Sequence, residues 1–561
     1  MSEKRFRFAI DRGGTFTDIY CEIYDSIVSE SHANDEEAKS SNSNTPKSRI
    51  LKLLSEDPLS YNDAPTEGIR RLLESELGYS IPRNIPVPTN QIDYIRMGTT
   101  VATNALLERK GERMALLTTK GFGDLQQIGN QSRPKIFDLE IRRLDLLYEF
   151  VIELDERVII LKDKVHDANE CFYGLSHELL YVEKPIDEDE VTRCLKHILG
   201  KGIKSIAVAL MHSYTFPTHE QKIKEIAERL GFEQISLSSE IMPMVKIVPR
   251  GCTTCVDAYL TPIIKRYLYS FSKGFDQNFA NVNVTFMQSD GGLTPMESFL
   301  GNRAILSGPA GGVVGFAMTS YFGVEKKMPV IGFDMGGTST DVSRFDGVFE
   351  HIFETTTAGV TIQSPQLDIN TVAAGGGSRL FFTNGLFVVG PESAGAFPGP
   401  VCYRKGGPLT VTDANVFLGR IQPHLFPKIF GPNENEALDV SSTVSAFEKL
   451  TEEINHAFKA KMSQHELDKY KNMTSDEVAF GFIRVANEAM ARPIRNLTTM
   501  KGYDVTKHAL ATFGGAGPQH ACAIAKSLGH YHHHYHHHYH HHYHHHHHHH
   551  YHHCYHYHHH H

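Results

Sequence analysis

An eight-residue pattern, Asp-x-Gly-Gly-Thr-x-Thr-Asp, occurs twice in this chain and constrains its fold more than any other feature. The first copy spans residues 11–18 and directly follows the apolar run at 6–10. The second copy spans residues 334–341 and directly follows the apolar run at 330–333. The copies begin 334 − 11 = 323 residues apart, which is far too long for a solenoid of short repeats. The pattern therefore predicts two domains built on one plan, each with a strand that enters a glycine-rich turn.

The residue types in this turn suit a phosphate group. Consecutive glycines let the backbone turn tightly and bring its N–H groups close to an anion, and the threonines add hydroxyl donors. An aspartate at the end of a strand can hold a hydrated Mg²⁺, because this ion prefers oxygen ligands and keeps several waters. One such turn alone is more simply explained as a structural hairpin. Two copies predict a pair of loops that hold the phosphates of one nucleotide from both sides.

A third glycine-rich turn, at 514–517, follows the apolar run Ala509–Phe513 and precedes a predicted helix over 519–528. It would let a flat adenine or a ribose approach the backbone, although a structural turn between strand and helix explains it equally well. The predicted nucleotide-binding residues are Gly13, Gly14, Thr15, Thr17, Gly336, Gly337, Thr338, Thr340, Gly514, Gly515 and Gly517. The predicted catalytic residues, which also hold Mg²⁺, are Asp11 and Asp334.

Between the glycine-rich turns, strand patterns alternate with helix patterns. The run at 205–211 predicts a buried strand, and apolar residues at helical spacing predict a helix over Thr218–Leu230. Thr474 and Glu477 match a capping box ahead of an amphipathic stretch. This alternation predicts an α/β fold. We place a domain boundary near residue 245, where two prolines interrupt the pattern.

The composition excludes several classes of partner. Lys and Arg number 56 against 65 Asp and Glu, for a net charge of −9, so the chain lacks the basic surface that nucleic-acid binding requires. The apolar runs are far shorter than the roughly 18 residues of a membrane span, so no membrane partner is expected. The N-terminus has no signal-peptide core and the 8 cysteines are scattered, which predicts a reducing, cytoplasmic location.

The last segment differs from the rest of the chain. Residues 530–561 contain 24 His, 7 Tyr and one Cys, and nothing else. Because a tract without apolar periodicity cannot form a core, we predict a low-complexity, disordered tail. Its imidazoles are expected to bind Zn²⁺, Ni²⁺ or Cu²⁺ adventitiously and not through an evolved site.

The repeated turns and the late glycine-rich turn resemble those of the actin, Hsp70 and sugar-kinase superfamily. Several stretches between about residue 5 and residue 529 resemble, more specifically, the ATP-dependent hydantoinase/5-oxoprolinase family. They are Met97-Gly98-Thr99-Thr100-Val101-Ala102-Thr103-Asn104-Ala105, His212-Ser213-Tyr214, Asp257-Ala258-Tyr259-Leu260-Thr261-Pro262, Ser307-Gly308-Pro309-Ala310-Gly311-Gly312 and Thr412-Asp413-Ala414-Asn415. The resemblance implies two actin/Hsp70/sugar-kinase-like domains, at 1–245 and 246–529, around a nucleotide cleft.

The resemblance also implies an activity, the ring opening of 5-oxo-L-proline to L-glutamate, with ATP and Mg²⁺ as cofactors. Phosphorylation of the lactam carbonyl oxygen would make its carbon electrophilic, and phosphoryl transfer relies mainly on positioning and charge neutralisation. This chain would supply the ATP-binding half and lack a hydantoinase B-like half, in cis or in trans. The alternatives are a hydantoinase-type cyclic amidohydrolase, a sugar kinase, and a truncated chain that binds ATP without activity of its own. Assembly into a homo-oligomer stays open.

Other residues have two interpretations each. Thr99, Thr100 and Asn104 form a polar cluster that predicts substrate contact, or that caps a helix. The stretch at 307–312 opens a predicted helix whose N-terminus can receive an anion, or forms a packing turn. Arg250 is predicted either to bind a carboxylate or to be a surface charge.

Two further positions invite a functional interpretation that we do not favour. Asn370 stands at a position where the family that this chain resembles is expected to have His. We interpret Asn370 as a tolerated polar turn residue. The pair Cys252-x-x-Cys255 lacks a second cysteine pair, so metal binding is not expected.

Overall fold

A computed structural model describes residues 3–26, 46–129, 146–162, 171–324, 327–357, 359–463, 465 and 470–529. The predicted disordered tail lies outside these residues. The strands are β1 Glu3–Arg12, β2 Phe16–Ser26, β3 Lys47–Leu54, β4 Ile92–Thr99, β5 Met114–Thr119, β6 Phe150–Leu154, β7 Arg157–Leu161, β8 Cys171–Tyr173, β9 Leu179–Lys184, β10 Ser205–Ala209, β11 Gln234–Leu237, β12 Asn283–Met287, β13 Leu293–Pro295, β14 Val330–Met335, β15 Thr340–Phe345, β16 His351–Ile352, β17 Thr355–Thr357, β18 Val360–Ile362, β19 Gln366–Leu367, β20 Ile369–Val372, β21 Ser378–Thr383, β22 Leu386–Ser393 and β23 Ala509–Phe513. The α-helices are α1 Ala64–Leu77, α2 Val101–Leu107, α3 Leu125–Ile128, α4 Glu188–Gly200, α5 Thr218–Leu230, α6 Ser238–Ile241, α7 Ile247–Lys273, α8 Ser307–Phe316, α9 Val411–Phe417, α10 Val440–Lys459, α11 Ser475–Leu497 and α12 Pro518–Ser527.

Three sheets carry the architecture. The first has the order β13-β12-β4-β1-β2-β3, with β1 antiparallel to β2 and parallel to β4. The second, β11-β10-β5-β6, is parallel throughout. The third has the order β20-β15-β14-β23, with β14 antiparallel to β15 and parallel to β23. Mixed and parallel sheets with interleaved helices confirm the predicted α/β class.

The first and third sheets share one arrangement around the repeated turns. The outer aspartates of each turn are cross-strand partners, Asp11 with Asp18 and Asp334 with Asp341. A backbone hydrogen bond of 3.0 Å closes each turn, from its first glycine to the residue three positions later. Each hairpin also has a parallel neighbour beside its first strand, β4 or β23. The predicted repetition of a strand that enters a glycine-rich turn is therefore confirmed.

Strand β14 lies between two hydrophobic cores. Val330 packs in the core that contains the first sheet, whereas Ile331, Phe333 and Met335 pack in the core that contains α11. On the first side the ring of Phe316, from α8, packs closely on the backbone of β14. A central strand covered on both faces reads as a continuous apolar run, which explains why the sequence marks it so clearly.

The proposed boundary near residue 245 does not coincide with a break between sheets. Helix α7 starts at Ile247, and β12 and β13 then join the first sheet beside β4. The strands at 283–295 therefore belong in space with the N-terminal strands. The change to the third sheet comes later along the chain, after α8.

Local patterns predicted several elements closely. The helix predicted at Thr218–Leu230 has the same bounds in the structure, and the strand predicted at 205–211 is Ser205–Ala209. Thr474 and Glu477 make both hydrogen bonds of the capping box at the start of α11. Across the described ranges, no helix has the length and apolar character that crossing a bilayer requires.

Candidate functional site

The two repeated turns face each other across a cleft that both of them line. A Cβ atom placed on Gly14 would lie 2.8 Å from Thr338 Oγ1, and one placed on Gly337 would overlap the side chain of Thr15. Each turn thus presents a glycine to a threonine of the other turn, and a side chain at either glycine would oppose this approach. The predicted meeting of the two turns is confirmed, with the turn at 514–517 beside them.

Most of the predicted nucleotide-binding and catalytic residues line this cleft. They are Asp11, Gly13, Gly14, Thr15, Asp334, Gly336, Gly337, Thr338, Gly514 and Gly515. Three other predicted residues do not line it. The hydroxyl of Thr17 pairs with that of Ser55 at 3.0 Å, and that of Thr340 donates to a backbone carbonyl at 2.6 Å. Gly517 packs closely on the end of β23, so all three support the turns and do not reach the cleft.

We expect Gly337→Ala to weaken nucleotide binding by about ten- to a hundredfold, because relieving such an overlap costs about 1–3 kcal/mol. Calorimetric titration with Mg²⁺–ATP measures the effect. Gly200→Ala is the matched control, since a methyl group there meets no atom within 4 Å. Equal affinities of the two variants would show that binding does not need the close approach of the turns.

Four carboxylates, of Asp11, Asp18, Asp334 and Asp341, line the same cleft. Burial raises the pKa of Asp11 to about 7, and the nearby Asp18 adds to this rise. Burial also raises the pKa of Asp334, with Asp341 as the next cause, and it raises the pKa of Asp341 to about 6. A cation among them would favour the charged form of every carboxylate.

The oxygen donors of this cleft fit Mg²⁺. No three His, Cys, Asp or Glu side chains in the described part of the chain are grouped closely enough to hold a bare ion. A cation here would therefore need further oxygen ligands, and Mg²⁺ commonly takes them from water and from phosphate.

Helix α8 brings its backbone against two of these carboxylates. A Cβ atom on Gly308 would lie 3.5 Å from Asp11 Oδ1, and one on Gly312 would lie 3.6 Å from Asp334 Oδ2. Positions four apart lie on one face of a helix, so this face meets one aspartate from each sheet. Gly308 and Pro309 also line the cleft. The stretch at 307–312 is thus both a packing surface and a wall of the cleft.

Lys52 is a residue of the cleft that sequence reasoning missed. Its Nζ lies 2.5 Å from Asp18 Oδ1 and 4.7 Å from the centre of the Phe16 ring. Among the described residues that line the cleft it is the one with a cationic side chain, and its charge partly offsets the effect of burial on the pKa of Asp11. Lys52 reaches this place because β3 pairs with β2 and sets it opposite Asp18.

The predicted substrate cluster separates into a cleft residue and two supporting residues. Thr100 lines the cleft, and its hydroxyl lies 3.3 Å from the carbonyl oxygen of Arg12. Thr99 is fully buried, and its N–H donates to Ser307 Oγ at 3.1 Å. Asn104 donates to the hydroxyl of Thr100 at 3.5 Å. Neither Thr99 nor Asn104 lines the cleft, so of the three residues Thr100 is the one that stays a predicted substrate contact.

Two other residues that the sequence analysis singled out do not line the cleft. Arg250 is fully buried and donates to the carbonyls of Leu210 and Met244 at 2.6 Å each. It is therefore neither a clamp for a carboxylate in the cleft nor a surface charge. Asn370 lies in β20, opposite Val342 in the third sheet, so it is a strand residue and not the turn residue that we predicted, and it does not line the cleft.

Cys252 and Cys255 lie on α7, away from the cleft. Burial raises the pKa of the Cys252 thiol to about 11 and raises that of Cys255 as well. The Sγ of Cys252 lies 3.1 Å from Gln126 Oε1. Burial thus favours the thiol form of both groups in the metal-free chain.

Helix α9 ties three walls of the cleft together, a role that sequence reasoning did not assign. Thr412 lines the cleft. Its N–H and its hydroxyl both donate to one carbonyl oxygen of the loop at 375–377, at 2.7 Å and 2.9 Å. Asp413 accepts an N–H from the turn at 401–403 at 2.9 Å. Asn415 reaches α12, 105 positions further along the chain. Partners so distant leave no local sequence signal.

Beside the cleft, aromatic rings and an ion pair connect β2 and the residues after β3 to the segment around 400–430. The ring of Phe16 lies 6.1 Å from that of Tyr403 and 6.5 Å from that of Phe426, between centroids. Lys405 Nζ lies 2.9 Å from Asp57 Oδ2, and the two side chains are only 5% and 1% exposed. The segment around 400–430 thus closes one side of the cleft.

Gly515 offers a test of whether a ligand approaches the third turn. A methyl group at this position meets no protein atom within 4 Å, so Gly515→Ala is expected to leave the stability of the ligand-free chain unchanged. If the nucleotide lies against this turn, its affinity is expected to fall about tenfold, as for an overpacked contact. Thermal unfolding and nucleotide titration of the same sample separate the two effects. Unchanged affinity would place the nucleotide away from this turn.

Two family models match the chain: "Hydantoinase/oxoprolinase N-terminal region" over residues 7–231 and "Hydantoinase/oxoprolinase" over residues 250–541. A relative from Arabidopsis thaliana, 5-oxoprolinase 1, is 57% identical over 528 residues, which are 94% of this chain and 40% of the relative. The chain spans about two fifths of the length of the curated 5-oxoprolinases that it matches.

Two solved structures share the fold. The ATP-dependent caprolactamase from Pseudomonas jessenii aligns with a TM-score of 0.63 at 26% identity, over 93% of this chain and 68% of that chain. A nucleotide-free acetone carboxylase aligns with a TM-score of 0.70 at 21% identity, over 94% of this chain and 68% of that chain. At that lower identity the likeness concerns the fold alone.

Proposed function

Because this chain belongs to the hydantoinase/oxoprolinase family of enzymes, we propose that it binds Mg²⁺–ATP between its two repeated turns and activates a cyclic amide for hydrolysis. The observation that carries the proposal is the reciprocal approach of Gly14 to Thr338 and of Gly337 to Thr15. Two turns rich in backbone N–H groups suit a polyphosphate placed between them. The carboxylates of the same cleft suit the Mg²⁺ that accompanies it.

An unsatisfied polar atom at the meeting point of the turns supports this assignment. Within the described chain, Thr15 Oγ1 is buried and has no hydrogen-bond partner. A buried hydroxyl without a partner costs about 1–3 kcal/mol, and a phosphate oxygen would accept its hydrogen. The apposed Thr338 presents a second hydroxyl from the other turn.

The residues of the cleft have distinct roles in this proposal. The glycine turns donate N–H groups to the phosphates, and Asp11 and Asp334 hold the hydrated cation. Lys52, fixed by Asp18, offsets negative charge where the phosphates gather. The nucleotide supplies the phosphoryl group that makes the amide carbon electrophilic. Phe16 and Tyr403 shield one side of the cleft from water, which protects an activated amide from side reactions.

We further propose that the amide is 5-oxo-L-proline and that the products are L-glutamate, ADP and phosphate. The names of the relatives that are 51–57% identical support this substrate. Thr100, Gly308 and Pro309 form the wall nearest Asp11 and are the proposed contact for the lactam. The longer relatives contain a further part, and we propose that a hydantoinase B-like part directs water onto the activated carbon.

We also propose that the two halves are actin/Hsp70/sugar-kinase-like domains. The support is that the first and third sheets each have a hairpin with a glycine-rich turn and a parallel strand beside its first strand. Two such units facing each other would form a nucleotide cleft of the kind that the sequence predicts.

The test compares ATP turnover by the purified chain, alone and supplemented with the remaining part of a longer relative, in the presence of 5-oxoproline, hydantoin or a hexose. We expect Mg²⁺-dependent ATP binding by the chain alone, and glutamate release only with 5-oxoproline and the supplement. Coupling to hydantoin would favour the hydantoinase-type alternative, and a phosphorylated hexose would indicate a sugar kinase. A folded chain that does not bind ATP would overturn the proposal.

A further inference from the structure

In one side-chain amide of the cleft, the nitrogen has a hydrogen-bond partner and the oxygen has none among the described residues. Gln519, the second residue of α12, lines the cleft. Its Nε2 donates to the carbonyl oxygen of Gly515 at 3.3 Å. Its Oε1 is buried and has no hydrogen-bond partner in the described chain. An acceptor left in this state costs free energy until a donor reaches it.

The orientation of this amide follows from its neighbour. A backbone carbonyl can only accept, so the NH₂ group of Gln519 must face the carbonyl of Gly515. The opposite orientation would set two oxygens against each other. The side-chain oxygen is therefore the atom that remains for a ligand, and what it requires is an N–H or O–H donor.

The backbone that carries Gln519 is held firmly. The next residue, His520, is fully buried, and its Nδ1 lies 2.6 Å from Asn487 Oδ1. Its Nε2 lies 2.9 Å from Asn415 Nδ2. Since the first partner accepts and the second donates, the imidazole is neutral with its proton on Nδ1. Burial lowers the pKa of His520 to about 3, so this arrangement persists at neutral pH.

Several of the residues that line the cleft with Gln519 have small side chains. A Cβ atom on Gly376 would lie 2.8 Å from Thr412 Oγ1 and 3.4 Å from Ala516 Cβ. A methyl group on Gly515, which also lines the cleft, would meet no protein atom within 4 Å. Small groups leave room for a flat ring to approach and to present its polar edge to the amide.

We propose that Gln519 selects adenine nucleotides, with its Oε1 accepting a hydrogen bond from the exocyclic amino group of the base. This inference rests on the proposed function, because it takes the cleft to be the ATP site. Hypoxanthine carries a carbonyl oxygen in place of that amino group. Two acceptors would then face each other in a buried position, which is how a polar site rejects an isosteric analogue.

The experiment measures the dissociation constants of Mg²⁺–ATP and Mg²⁺–ITP for the whole chain and for two variants. We expect the parent chain to bind ATP at least about tenfold more tightly than ITP, because ITP would leave a buried acceptor facing another acceptor without a hydrogen bond. Gln519→Leu is expected to bring this ratio close to one. Lys526→Ala, an exposed change on the same helix, is the control and is expected to keep the parent ratio.

The outcomes separate this inference from the proposed function. Equal binding of ATP and ITP by the parent chain would overturn the role of Gln519 while leaving the nucleotide site in place. A preference for ATP that survives in a folded Gln519→Leu variant would also overturn it. Failure of the folded parent chain to bind either nucleotide would instead refute the proposed function.

Discussion

Replacing Asp11 or Asp334 by asparagine is expected to reduce ATP turnover by about a hundredfold or more while the fold stays intact. Each change keeps the shape of the side chain and removes the charge that would hold Mg²⁺. Burial raises the pKa of both carboxylates, so their charged forms are unfavourable in the ligand-free protein. The ligand-free variants are therefore expected to unfold at the same temperature as the parent or at a higher one.

Two measurements check this expectation. Turnover is measured with the chain supplemented with the remaining part of a longer relative, and the Mg²⁺ dependence of ATP binding is measured with the chain alone. Asp290→Asn is the matched control, because Asp290 also precedes two glycines but accepts the N–H of Gly292 at 2.8 Å and does not line the cleft. Unchanged Mg²⁺ dependence and turnover in both variants would remove the proposed metal role.

The second large effect is expected at the buried ion pair between the halves. Lys405→Met leaves the carboxylate of Asp57, only 1% exposed, without its cation. This change is expected to lower the free energy of unfolding by about 3 kcal/mol or more. The double variant Asp57→Asn/Lys405→Met removes both charges and is expected to recover most of that loss, because no uncompensated charge remains buried.

Chemical denaturation of the single and double variants measures this coupling. Lys110→Met is the control, since Lys110 pairs with Glu108 on the surface, where an ion pair adds little to stability. A Lys405→Met chain as stable as the parent would contradict the expectation. A double variant no more stable than the single one would show that the loss comes from the packing of the Lys405 side chain.

The ion pair has a consequence for the cleft as well as for stability. Asp57 follows β3, the strand that carries Lys52, and Lys405 lies next to the turn that carries Tyr403. Lys52 and Tyr403 both line the cleft. The pair therefore joins the two segments that carry these cleft residues, and its loss is expected to weaken nucleotide binding as well.

Short stretches of sequence determined much of this site. The repeated pattern predicted two strand-and-turn units, and the structure places both turns in one cleft with Asp11 and Asp334 on its wall. The helix Thr218–Leu230 and the capping box at Thr474 were also predicted from local patterns. These features are predictable because a buried strand, a glycine-rich turn and a helix cap are each specified by residues within a few positions of one another.

Tertiary structure alone decided which residues reach the cleft. Lys52 enters it through the register of β3 against β2, and Gln519 is oriented by a contact with the carbonyl of Gly515. Thr17 has the residue type of a phosphate ligand, yet its hydroxyl pairs with Ser55. Arg250 has the residue type of a clamp or a surface charge, yet it is buried against backbone carbonyls. Such outcomes depend on how strands pair and elements pack, and those contacts override the preferences of the individual residues.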